Sequence, residues 1–161
     1  MLFKTIASFL AIAAPLSATP AAVIEQLSQL PVYEGRELFV NDQIEVRVRV
    51  AMKTGFSEDL DVAKADFDIS IKLMDKAKKV VDSLAQRCAD EDVELSDSVL
   101  RFDPFTDEGV TCTRRLIEAV NQKFGSSVPT PVELRITEGG NVLIFAADIK
   151  GAEIVVPMRR T

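Results

Sequence analysis

Two stretches of this chain alternate apolar and polar residues with a period of two, and they constrain its fold more than any other feature. Ile44, Val46, Val48, Val50 and Met52 are separated by Glu45, Arg47, Arg49 and Ala51. Ala65, Phe67, Ile69, Ile71 and Leu73 alternate in the same way with Lys64, Asp66, Asp68, Ser70 and Lys72. Side chains along a strand point to opposite faces, so each stretch reads as a strand with one buried face and one wet face. Strands of this kind need sheet neighbours and an apolar layer to cover them.

The neighbours are legible elsewhere. Leu38-Phe39-Val40 followed by Asn41-Asp42 reads as a short strand and a tight turn. Val99, Leu100 and Phe102 suggest another strand. Val132, Leu134 and Ile136 alternate with Glu133, Arg135 and Thr137. Gly139-Gly140 then turns the chain into a strand over 141–149, and Lys150-Gly151 turns it again into Ala152–Met158. Pro157 marks an edge or a strand end there, because it has no N–H to give. The covering layer is read as helical. Thr19-Pro20 has the form of an N-cap with Pro at the first helical position, opening a short helix to about residue 29. From Asp75 the period changes: Ala77, Val80, Val81, Leu84, Ala85 and Cys88 share a helical face, predicting a helix over about 75–88. Val110, Leu116, Ile117, Val120 and Phe124 predict a second over about 109–124, closed by Gly125. The sum is an α+β fold. A largely antiparallel sheet of five to six strands carries the two main helices on one face, with the short helix at the N-terminal end.

The first eighteen residues have the three-part layout of a secretory signal: Lys4 near the start, the apolar run TIASFLAIAAPL, and a small-residue exit at Ser17-Ala18. The apolar run is too short to span a bilayer. The expected organisation is therefore a signal peptide at 1–18 and a single domain over 19–161, periplasmic or secreted. The whole chain carries a formal net charge of −6. Such a charge repels nucleic-acid backbones and anionic lipid surfaces, so neither is an expected partner.

The chain has no His and no Trp, and Tyr33 is its one Tyr. Without His there is no Ser-His or Cys-His nucleophile pair, no ordinary zinc site and no near-neutral proton shuttle. The glycines form neither a dinucleotide nor a P-loop fingerprint, so no cofactor is expected. Acidic residues crowd the segment from Asp90 to Glu108, including Asp90-Glu91-Asp92, Glu94, Asp103 and Asp107-Glu108. Their spacing is not that of an EF-hand, and they read as solvated surface with no metal assigned.

Two cysteines remain, Cys88 and Cys112. In an exported chain a lone pair reads as one structural disulfide. The competing reading makes Cys112, in the first turn of a helix and followed by Arg114-Arg115, an activated thiol resolved by Cys88 in a peroxide or disulfide reductase.

Over residues 64–124, the run ADFDISIKLMDKAKKVVDSLAQRC, then VELSDSVLRFDP, then a second helix resembles the SIMPL-domain family of bacterial exported proteins. That resemblance implies an exported protein mixing strands with helices on one sheet face, with no assigned catalytic residues. No functional residue is carried over from it.

The function expected from the sequence is a non-catalytic binding, adaptor or cell-envelope-associated protein held by the Cys88–Cys112 disulfide. Its expected partner is another envelope or secreted protein, met through the strand edge Ala152, Glu153, Ile154, Val155 and Val156.

Overall fold

A computed structural model of the chain describes residues 20–56, 62–102 and 111–161. The signal peptide expected at 1–18 and the acidic cluster Asp103–Gly109 lie outside these residues.

The two alternating stretches are strands, as their period requires. They are β2 (Ile44–Met52) and β3 (Val62–Met74), preceded by β1 (Val32–Phe39). The chain continues through β4 (Val80–Ser96), β5 (Val99–Phe102), β6 (Val132–Thr137), β7 (Val142–Ile149) and β8 (Ala152–Arg160). The eight strands among the described residues form one closed antiparallel barrel in sequence order. The inward residues of every strand join one continuous apolar core, and Phe67 and Phe102 meet inside it with ring centroids 5.2 Å apart. An eight-stranded barrel is just wide enough for its own side chains to fill it.

This corrects the expected α+β fold of five to six strands with helices on one face. The largest single difference is 75–88, which is not a helix. Asp75 Oδ1 accepts from the backbone N–H groups of Ala77 and Lys79, and Lys78 takes a positive φ of 63°, so 75–79 is a hairpin turn. The chain then returns as β4, laddered to β3 from Met74↔Val80 to Val62↔Glu94. Val80 and Val81, two of the apolar residues that suggested a helical stripe, are exposed. A long ladder with β3 outweighs an accidental spacing of three and four.

The other helices are where the sequence puts them, and they do different work from the work expected. α1 (Pro20–Ser28) stops one end of the barrel, with Leu27 fully buried and the Gln26 and Gln29 side chains accepting from Arg160 in β8. α2 (Cys112–Phe124) begins at Thr111, whose hydroxyl accepts from Arg114 N–H, and ends at Gly125 with φ 59°. Its stripe of Leu116, Ile117, Val120 and Phe124 is buried.

α2 fills a gap in the wall. β5 reaches β4 only over Val93–Ser96 and reaches β6 only over Val132–Arg135, while β6 reaches β7 only over Val142–Ile144. Toward the other end, β4 and β7 therefore have no strand between them. The helix stands in that opening. Glu91 Oε2 accepts from Thr113 N–H and Oγ1, Lys123 Nζ donates to the Ser83 carbonyl, and just past the helix Ser127 N–H reaches the Asp148 carbonyl.

Candidate functional site

The ladders fix which outward side chains stand side by side. Glu34 of β1 lies opposite Arg49 of β2, Arg49 opposite Asp68 of β3, and Asp68 opposite Arg87 of β4. An acid-base-acid-base row thus crosses four strands on the outer face. Arg49 donates to Glu34 at 3.0 Å and to Asp68 at 3.1 Å, and Arg87 Nε stands 3.6 Å from Asp68 Oδ1. Opposite charges on facing strands stabilise each other, modestly where water reaches them.

The next row is different. Arg36 faces Arg47, Arg47 faces Ser70, and Ser70 faces Ala85. Two like charges are neighbours, and two small side chains lie beside them. Together the rows line a concavity of about 790 Å³ spanning β1 to β4.

The Arg36–Arg47 contact is held by Glu45 from the row beyond. Glu45 Oε2 accepts from Arg36 Nη2 at 2.5 Å, and Oε1 accepts from Arg47 Nε at 3.0 Å, with Lys72 Nζ 3.5 Å away. The Glu45 side chain is almost fully covered. Burial alone would raise its pKa. The Arg36 hydrogen bond and the charges of Arg47, Arg36 and Lys72 outweigh that and hold it below the usual carboxylate value. Asp66, also buried, follows the same logic. Burial pushes it up, while the Asp90 N–H, Arg87 and Lys53 bring it below its ordinary value.

Three cations thus surround one carboxylate, a local net positive charge in a chain whose formal charge is −6. Among the described residues nothing accepts from Arg36 Nη1 or from the two terminal nitrogens of Arg47, and the Ser70 hydroxyl has no partner. None of these groups was singled out from the sequence as a site.

The sites that were singled out lie elsewhere. Cys88 and Cys112 form a disulfide, with Cα atoms 5.6 Å apart. It pins the start of α2 to the middle of β4, and Cys88 is fully buried. The segment Ala152–Val156 belongs to β8 and is laddered to β7 throughout. Glu153 and Val155 are exposed, while Ile154 and Val156 point into the core. On its other side β8 is laddered to β1 only at Tyr33↔Arg160 and Glu34↔Arg159. Pairing with β1 therefore stops before Pro157, and Leu38 and Val155 are exposed on the two strands beyond it.

Inward positions are mostly apolar and many outward ones charged, with Leu38, Val81 and Val155 apolar on the outside, unlike the continuous apolar outer band of a barrel that sits in lipid. No helix among the described residues is long and apolar enough to cross a membrane. Among the same residues no group of three or more His, Cys, Asp or Glu is placed to hold a metal ion. No family model, no curated protein and no solved structure matches this chain.

Proposed function

We propose that this is a non-catalytic binding module of the cell envelope or extracellular space, engaging a protein partner through the concave outer face of β1 to β4. The observation that carries this reading is the contrast between inside and outside. The barrel interior is filled with apolar side chains, so the chain offers its chemistry on the outer face. There the concavity presents arginines in fixed positions beside small side chains. Arginine held in place before binding loses little conformational freedom on contact, which suits it to recognition.

Export rests on the composition of residues 1–18 and fits a disulfide-stapled domain. The thiol-dependent reductase has less support: Cys88 is fully buried, which leaves only the half-buried Cys112 for an attacking sulfur to reach. The unladdered stretch of β8 adds a second contact region, favoured by the exposed Leu38 and Val155 beside it.

The test is photo-crosslinking in the producing cell, with a photoreactive residue at Ser70 in the concavity, at Val155 beside the seam, and at exposed Gln122 on α2 as control. A defined adduct from Ser70 that Gln122 does not give supports the reading. The same products from all three positions, or none from Ser70, would overturn it.

A further inference from the structure

Within that concavity the structure assigns a more specific task to one corner: Arg36, Arg47 and Ser70 form a receptor for a single carboxylate carried by an extended peptide. This rests on the concavity being the contact face, and it names the chemistry recognised there.

The geometry of the arginines is the first support. Arg36 and Arg47 are cross-strand neighbours on the exposed face, a repulsive arrangement unless an anion lies between them. Glu45 already fills that role from one side, which shows that the pair accommodates a carboxylate. Glu45 engages Nε and Nη2 of Arg36 and only Nε of Arg47. Both terminal nitrogens of Arg47 and one of Arg36 remain uncommitted among the described residues, and Ser70 across the ladder adds a hydroxyl. A guanidinium edge and a planar carboxylate match in a two-bond fork.

Charge supplies the second support and narrows the ligand. Arg36, Arg47 and Lys72 exceed Glu45 by two positive charges at the corner, while the adjoining Glu34–Arg49–Asp68–Arg87 row balances itself. At physiological salt a charge is felt over only about 8 Å. One carboxylate entering the corner meets that local excess, whereas a polyanion such as a nucleic acid or an anionic bilayer must also face the acidic remainder of the surface. The balanced row offers donors and acceptors alongside the corner, which suits a peptide backbone and would be idle for a small free acid.

The probes are two short capped peptides of Gly and Ser differing only in a central Asp or Asn, with inorganic phosphate as a third. Each is titrated into the ¹⁵N-labelled protein, following the amides of Arg36, Arg47 and Ser70. The Asp peptide is expected to bind at least about tenfold more tightly than the Asn peptide, a difference of one ordinary charge-assisted contact. Arg47→Gln should abolish that preference; Arg47 is half exposed, and Glu45 keeps Arg36 and Lys72 in its absence, so the barrel remains folded. Glu45→Gln removes the competing carboxylate and should tighten the Asp peptide several-fold. Equal binding of the two peptides, no binding of the Asp peptide, phosphate binding as tightly as the Asp peptide, or an unchanged preference in Arg47→Gln would each overturn the assignment. Crosslinking from Ser70 reports separately: a specific adduct together with indifference to Asp or Asn removes the carboxylate and leaves the contact face standing.

Discussion

The hydroxyl of Tyr33, at the start of β1, donates a 2.6 Å hydrogen bond to the carbonyl of Gly140 in the turn between β6 and β7, 107 residues away. Tyr33 is fully buried, and that burial is the main reason its pKa is pushed up to about 12, with Arg160 pulling weakly the other way. The chain has no other Tyr and no Trp, so alkaline absorbance near 295 nm reads this residue alone. The folded protein should ionise near 12, and the urea-unfolded chain near the ordinary value of about 10. A phenol whose pKa is raised by folding stabilises fully below the unfolded value, and that contribution disappears as pH rises through the folded one. A titration midpoint near 10 in the folded protein would show that Tyr33 is reached by water.

Replacing both cysteines by Ala should weaken the attachment of α2 to β4. Cys88 and Cys112 are 24 residues apart, and closing a loop of that size contributes about 3 kcal/mol. Tm should fall by roughly 10 °C for a chain of this length. Calorimetry of the wild type with and without reductant should reproduce most of the difference.

Acid should destabilise the barrel through Glu45 and Asp66. Both have pKa values lowered by folding, so each contributes stability above the unfolded carboxylate value of about 4 and loses it as pH falls through the folded one. Asp66→Asn should cost about 2 kcal/mol at neutral pH, the worth of a hydrogen bond to a charged group. It should also flatten the acid limb of stability against pH, measured by urea unfolding at a series of pH values.

Gly35→Ala tests how the barrel closes. A Cβ on Gly35 would stand 2.5 Å from the Pro157 carbonyl oxygen and 2.8 Å from a methyl of Val156. The backbones of β1 and β8 must separate to admit it, at a cost of about 1–3 kcal/mol. Urea unfolding measures that loss, and amide exchange in β8 should quicken with it.

How far the sequence reveals this molecule depends on which contacts are local. Alternation in β2 and β3, the Lys150-Gly151 turn, and the apolar stripe and Gly125 stop of α2 are encoded within a few residues, and all are legible. β4 is not, because Leu84 and Cys88 face inward with the polar Gln86 between them, so its period of two is broken. The short β5 conceals closure in another way: its four residues leave the gap that α2 fills, and no local pattern announces a helix used as wall. The charged row is half legible. The register that sets Glu45 against Lys72 also sets Arg49 against Asp68, so charge matching across 53–61 gives that pairing. Placing Glu34 and Arg87 at its ends requires β1 and β4, one read only as the short strand Leu38-Phe39-Val40 and the other read as helix.

The thin closure between β1 and β8 bears on how the molecule comes into being. Every other ladder joins strands that follow one another along the chain. Most of these are cheap contacts to form, since little chain must be gathered to make them; β5 and β6, with α2 between them, are the exception. β1 and β8 must instead be brought together from opposite ends of the domain, and only two laddered pairs, with Gly35 packed against Val156 and Pro157, reward them on meeting. Assembly can therefore run as a growing curled sheet that stays open until its last strand arrives, and the ring is sealed only after nearly everything else is in place.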